Sequence, residues 1–169
     1  MSAEMEVGLR NGTRAPLAAV LRLELEPFRE HVVGAVTQGR ALAALFGSPD
    51  GEHPGHVLLW ALLADRAHGS LDLVTTSVRE SYRALTPSCP PAHLFERALA
   101  EQWGVRPLGH PWLEPVRFQP ARRAMPDVWA RDEIVPATGR FFRVEGDEVH
   151  EVAVGPIHAG VIEPGHFRF

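Results

Sequence analysis

Leu21, Leu23 and Leu25 alternate with Arg22, Glu24 and Glu26, the period-two pattern of a half-buried strand. Pro27 then occupies the place of a first helical residue. Phe28, Val32, Ala35 and Val36 fall on one face before Gly39, so a short amphipathic helix ending at that glycine is expected. Residues 41 to 46, ALAALF, read as a buried strand leading into SPDGEHPG, whose Pro, Gly and Asp content fits only a turn or loop. HVLLWALLA and SLDLVTTSV, separated by DRAHG, read as an antiparallel hairpin. The clearest helix follows Pro90 and Pro91: Leu94, Phe95, Ala98, Leu99 and Trp103 share one stripe, and Gly104 comes directly after. Its other face carries Glu96, Arg97 and Glu101, with Arg97 and Glu101 spaced to pair in solvent for about 0.2 to 0.5 kcal/mol.

Beyond that helix the chain turns through Gly109, His110 and Pro111, and residues 119 to 140 mix proline and charge with neither periodicity. FFRVEGDEVHEVAVG has two apolar-rich runs about Glu145, Gly146 and Asp147, a hairpin signal, and GPIHAGVIEPGHFRF follows it. The expected fold is α+β: a mostly antiparallel sheet of about four strands with two helices over residues 15 to 118, preceded by a flexible tail over 1 to 14. A linker arm over 119 to 140 and a short β-hairpin within 141 to 169 complete the chain. A sheet that begins so late and has unpaired edges reads as the start of an incomplete second domain.

A chain of 169 residues, 45% hydrophobic and 22% charged, supports one ordinary core, or one core with a short appendage. The formal net charge of -4, with no run of like charges, argues against nucleic acid as a partner. All 17 basic residues are arginine, which reads as coding bias more than chemistry. The start MSAEMEVGLRNG holds no apolar run of signal-peptide length and no stretch approaches a membrane span, so a cytoplasmic location is expected. The single cysteine, Cys89, excludes an internal disulfide and any thiolate-rich metal site built from this sequence alone. Between Ser88 and Pro90 it fits a small residue in a turn better than a reactive thiol.

The sequence contains no GxSxG, GxxxxGK, HExxH or GxGxxG motif, so no self-contained catalytic machine is expected, and no metal site. His31, His53, His56, His68 and His93 lack ligand spacing. His158 and His166 lie in a Gly- and Pro-rich segment whose backbone can approach a ligand closely, with Glu163 between them as a possible orienting carboxylate; an ordinary loop accounts for the same residues.

The run PPAHLFERALAEQWGVRPLGHPWLEPVRF resembles the signature of the complex I 30-kilodalton subunit family of the NADH:quinone oxidoreductases, with Glu96, Arg97, Trp103, Gly104, Gly109, His110 and Pro111 matching. It departs at Ala98, where that family carries a third acidic residue, and at Trp112, where Asp is usual. The final segment, GPIHAGVIEPGHFRF, is similar to the opening of the large-subunit family shared by energy-converting hydrogenases, formate hydrogenlyase and the complex I 49-kilodalton subunit. The order of the two is that of the hydrogenase-4 and formate-hydrogenlyase branch.

This resemblance implies that residues 15 to 118 are a 30-kilodalton-like domain and 141 to 169 the start of a large-subunit-like domain. It places His158, Glu163 and His166 on a loop that lies near the substrate or quinone cavity in complete relatives. Nickel-iron and iron-sulfur centres are expected in partners, with no cofactor held by this chain. The implied role is an accessory or scaffold part of a membrane-associated hydrogenase or NADH:quinone oxidoreductase complex, peripheral on the inner face of the membrane through its partners. Partner docking would fall to Glu96, Arg97, Glu101, Trp103 and His110; a local ion pair and a loop-fixing hydrogen bond explain Glu96, Arg97 and His110 equally well. Two alternatives stay open: half of a split oxidoreductase, or a free-standing binding protein that kept the docking fold.

Overall fold

The computed structural model describes residues 8–10, 12–123, 128–131, 134, 146–148, 150, 152–161 and 165–168. The chain divides into two compact units, Met1–Gly139 and Arg140–Phe169. The first unit is α+β. Strand β1 (Leu9–Arg10), strand β2 (Leu21–Arg22) and helix α1 (Leu25–Thr37) precede three long strands, β3 (Ala41–Pro49), β4 (Val57–Asp65) and β5 (Ser70–Val78). Short strand β6 (Ser81–Arg83), a 3-10 turn over Pro90–Ala92, helix α2 (His93–Trp103) and strand β7 (Arg106–Leu108) follow.

Strands β3, β4 and β5 form an antiparallel meander with β3 at one edge. At the other edge β5 is paired twice, by β1 antiparallel at Ser70 and Leu71 and by β2 parallel at Val74 and Thr75. Alternate β4 residues Val57, Leu59, Ala61 and Leu63 are fully buried, so one face of the sheet is core. Phe28 and Val32 of α1 and Leu99 and Trp103 of α2 join the same cluster. On the opposite face, half-exposed Phe46 stacks on Trp60 with centroids 6.2 Å apart, and Trp60 Nε1 donates to Ser48 Oγ at 2.9 Å.

Two expectations need correction. The Leu21–Leu25 alternation is strand only over Leu21–Arg22; Leu25 already begins α1, and Pro27 is the third helical residue rather than the first. The leucines keep their place against the core, because Leu21, Leu23 and Leu25 all pack on it while the backbone changes type beneath them. Proline is tolerated throughout a first turn, where the N–H groups have no helical acceptor. Residues 9 and 10, expected within a flexible tail, pair with β5.

Both helices end as their glycines dictate. Gly39 has φ +93, its amide donates to Val36 and the Arg40 amide reaches back to Ala35, the pairing of a Schellman cap. Gly104 has φ 63 and donates to Ala100 at 3.0 Å.

In the second unit, β8 (Ala153–Ile157) pairs antiparallel with β9 (Gly165–Arg168). The hairpin expected about Glu145 and Asp147 lies mostly outside the described residues; the described pairing joins its second run to the GHFR segment beyond.

Candidate functional site: a charged helix face that holds a loop

His93, Arg97 and Glu101 stand at successive four-residue steps of α2 and so form one line along the helix. Periodicity alone makes that line a solvated face. In the structure Glu96 is 0%, Arg97 8% and Glu101 4% exposed, and the Arg97–Glu101 ion pair does not form; both side chains turn instead to the backbone of residues 109 to 119. That segment has no ladder of its own, and two of its residues, Pro111 and Pro115, have no N–H to give one. Side chains supply the missing partners.

The matching runs in order along both chain segments. At the top, His110 stacks on His93 with centroids 5.2 Å apart, and Trp112 stacks on the same imidazole at 5.8 Å. In the middle, Arg97 Nε donates to the Glu114 carbonyl at 2.7 Å and Nη2 to that of Pro115 at 3.0 Å, while its guanidinium lies 4.6 Å from the Trp112 ring centre. At the bottom, Glu101 accepts from the amides of Val116, Arg117 and Gln119 at 3.0, 2.8 and 2.8 Å. Each such charge-assisted bond contributes about 1.5 to 3 kcal/mol. Continuing the strap, Trp129 Nε1 donates to the Leu113 carbonyl at 2.8 Å. Arg123 spans the carbonyls of Trp103, Gly55 and Arg79, and desolvation pulls its pKa below the ordinary arginine value.

Glu96 does the same work on the other side of the helix. Its carboxylate accepts from the Leu85 amide at 2.7 Å, the Thr86 amide at 2.9 Å and the Thr86 hydroxyl at 2.6 Å. Burial, then the nearby Glu96 charge, push the Tyr82 phenol well above its ordinary pKa. Trp103 packs closely on β3: a methyl at Gly47 would sit 2.7 Å from Trp103 Cδ1. Cys89 is fully buried and burial pushes its thiol up, away from the thiolate that reactivity needs.

What α2 leaves exposed is apolar. Trp112 is 60%, Leu94 57% and Leu108 50% exposed, all flanking the His93–His110 stack in sequence or in space. Of the residues expected to dock partners, Glu96, Arg97, Glu101 and Trp103 are therefore interior and His110 half-buried; Trp112 is the exposed residue beside them, and sequence reasoning marks it only as a departure. The signal that could have found it is a tryptophan next to a Gly-His-Pro turn.

A second polar cluster sits on the 50–56 loop. Arg22 reaches Asp50 at 2.7 Å, Glu52 at 2.6 Å and His53 Nδ1 at 3.1 Å, and Ser77 Oγ donates to Asp50 at 2.6 Å. Burial would raise the Asp50 pKa, yet the Ser77 hydroxyl, the Glu52 amide, His53 and Arg22 together hold it below the usual carboxylate range. Asp50, Glu52 and His53 offer ligand atoms within 4.8 Å of one another, but the Arg22 guanidinium bonds all three and fills the place a cation would take. A groove of about 410 Å³ adjoins the cluster, lined by Arg22, His53, His56 and Ser77 among others.

The C-terminal loop residues are only partly in view. His158 is exposed just after β8, in a turn closed by the Val161 amide on its carbonyl at 3.2 Å, with Ala159 at φ 51. His166 falls in β9, its side chain outside the described part, and Glu163 lies outside the described residues.

No family model matches the chain. Among curated proteins it is 28% identical over 155 residues to formate hydrogenlyase subunit 5 of Escherichia coli (strain K12), an alignment covering 78% of this chain and 26% of that protein. It is 26% identical over 145 residues to hydrogenase-4 component G of the same organism, covering 75% of this chain and 25% of the relative. The chain thus spans about a quarter of the length of the curated relatives it matches, and its similarity is to components of hydrogenase complexes.

Proposed function

We propose that this chain is a docking part of a membrane-associated hydrogenase-type complex, using the α2 helix and the segment strapped to it to seat a neighbouring subunit. The similarity to two named components of hydrogenase assemblies carries this reading. The geometry agrees with it. Six hydrogen bonds to Glu96 and Glu101 and two from Arg97 fix backbone and loop rather than substrate, and they leave Leu94, Leu108 and Trp112 exposed, Trp112 held on His93 and Arg97. A preorganised aromatic flanked by apolar side chains is a usual interface anchor, since little ordering is left to be done on binding.

On this reading the redox centres, nickel-iron and iron-sulfur, belong to partners, and this chain holds no cofactor and performs no chemistry by itself. Among the described residues no helix is long and apolar enough to cross a membrane, so membrane association would come through partner subunits. Residues 141 to 169 would be the start of a large-subunit-like domain. A two-stranded sheet is marginal alone, and exposed Val152, Val154 and Val161 call for a covering partner. His158, Glu163 and His166 would then line a cavity-side loop.

Co-purification of the tagged chain from its native host, with mass spectrometry of what accompanies it, tests the reading. Cluster-bearing hydrogenase or complex I-type subunits are expected; a chain recovered alone, folded and monodisperse, would instead favour the free-standing binding protein.

A further inference from the structure

We infer that stacked His93 and His110 form a proton-sensitive latch, which releases the 111–113 end of the strapped segment from α2 on mild acidification and with it the fixed position of Trp112. The hydrogen bonds define the protonation state of both rings. The Trp112 backbone N–H donates to His110 Nδ1 at 3.1 Å, so that nitrogen carries no proton, and His110 Nε2, facing the His93 carbonyl at 3.3 Å, must be the one that does. Arg97 Nη1 can only donate, so His93 Nε2, 3.3 Å away, is an acceptor. Both imidazoles are therefore neutral in this arrangement, and each has one nitrogen whose lone pair is in use.

A proton on His110 Nδ1 displaces the Trp112 amide; a proton on His93 Nε2 meets the Arg97 guanidinium head-on. Either also places an imidazolium against its stacked neighbour. The groups facing His110 are His93, Glu96 and Arg97 of α2. Glu96 favours the charged ring, but its two oxygens are already shared among three donors. Desolvation is the largest effect and disfavours the charge; the hydrogen bond to the His93 carbonyl opposes it, His93 and Arg97 add to it, and the His110 pKa falls below the ordinary histidine value. A group neutral in the strapped state and protonated in the released one makes the strap's stability fall as pH drops below about 6.5. Arg97 holds the carbonyls of Glu114 and Pro115 and Glu101 the amides of Val116, Arg117 and Gln119, so release is confined to the 111–113 end.

The latch belongs to the chain itself and stands whether or not the docking reading holds. Amide hydrogen exchange on the full chain between pH 7.5 and 5 tests it, using the β4–β5 amides as internal reference. Protection of the Trp112 and Glu114 amides should fall severalfold relative to the sheet, as the released state takes up the proton. In a variant carrying His110→Asn and His93→Gln, whose amide oxygens accept from Trp112 and Arg97 without titrating, that pH response should vanish. Histidine NMR of the native chain gives a second readout that needs no variant: His110 should be the Nε2–H tautomer, titrating in step with the Trp112 and Glu114 amides. A segment whose relative protection is flat with pH, or a double variant that loosens as the native chain does, would overturn the latch.

Discussion

Glu101 illustrates how one side chain can replace secondary structure: three amides of a proline-rich segment converge on its two oxygens. Glu101→Ala leaves three donors without their partner, and about 3 kcal/mol of lost stability is expected in urea unfolding. Glu101→Gln, which keeps one acceptor oxygen, should lose less. Gly47→Ala tests packing instead of polarity. Its new methyl meets Trp103 at 2.7 Å and Val57 Cγ1 at 2.9 Å, so a loss of about 2 kcal/mol should appear in the same measurement. Asp50 sets an acid limb. Its folded pKa is depressed, so its contribution is present above about pH 4, the unfolded value, and is lost as pH falls further. Asp50→Asn should flatten that limb in thermal melts between pH 5 and 2.5, and an unchanged limb would show that other carboxylates dominate it.

The elements themselves were legible wherever one face alternates or one stripe repeats. The β4–β5 hairpin, the α2 stripe and both glycine stops follow from hydrophobic period and turn chemistry, which act locally. Two features were not legible. Leu21 to Leu25 satisfy a strand pattern and a helix start equally well, and only pairing with β5 decides that two residues are strand. The polar face of α2 looked solvated because periodicity cannot tell water from a backbone that returns fifteen residues later. Gly104→Ala probes the α2 stop: φ 63 is left-handed, so about 1 kcal/mol of destabilisation is expected with the rest of the fold unchanged by circular dichroism.

At the scale of the whole molecule, the first unit is a compact block whose charged residues on α2 are spent internally, and the second is two strands with exposed valines beside them in the chain. Exposed Trp112 was hidden in the sequence for the same reason the strap was: its place follows only once Arg97 and His93 are seen to hold it. The most direct measurement of the docking account is quantitative co-purification of the native chain and of Trp112→Ala from the native host. Trp112 is largely exposed, so the variant should keep the fold, losing only the ring's stacking on His93 and Arg97, while recovering at least severalfold less of the accompanying hydrogenase-type subunits. Equal recovery from both would contradict a docking surface built on the α2 strap.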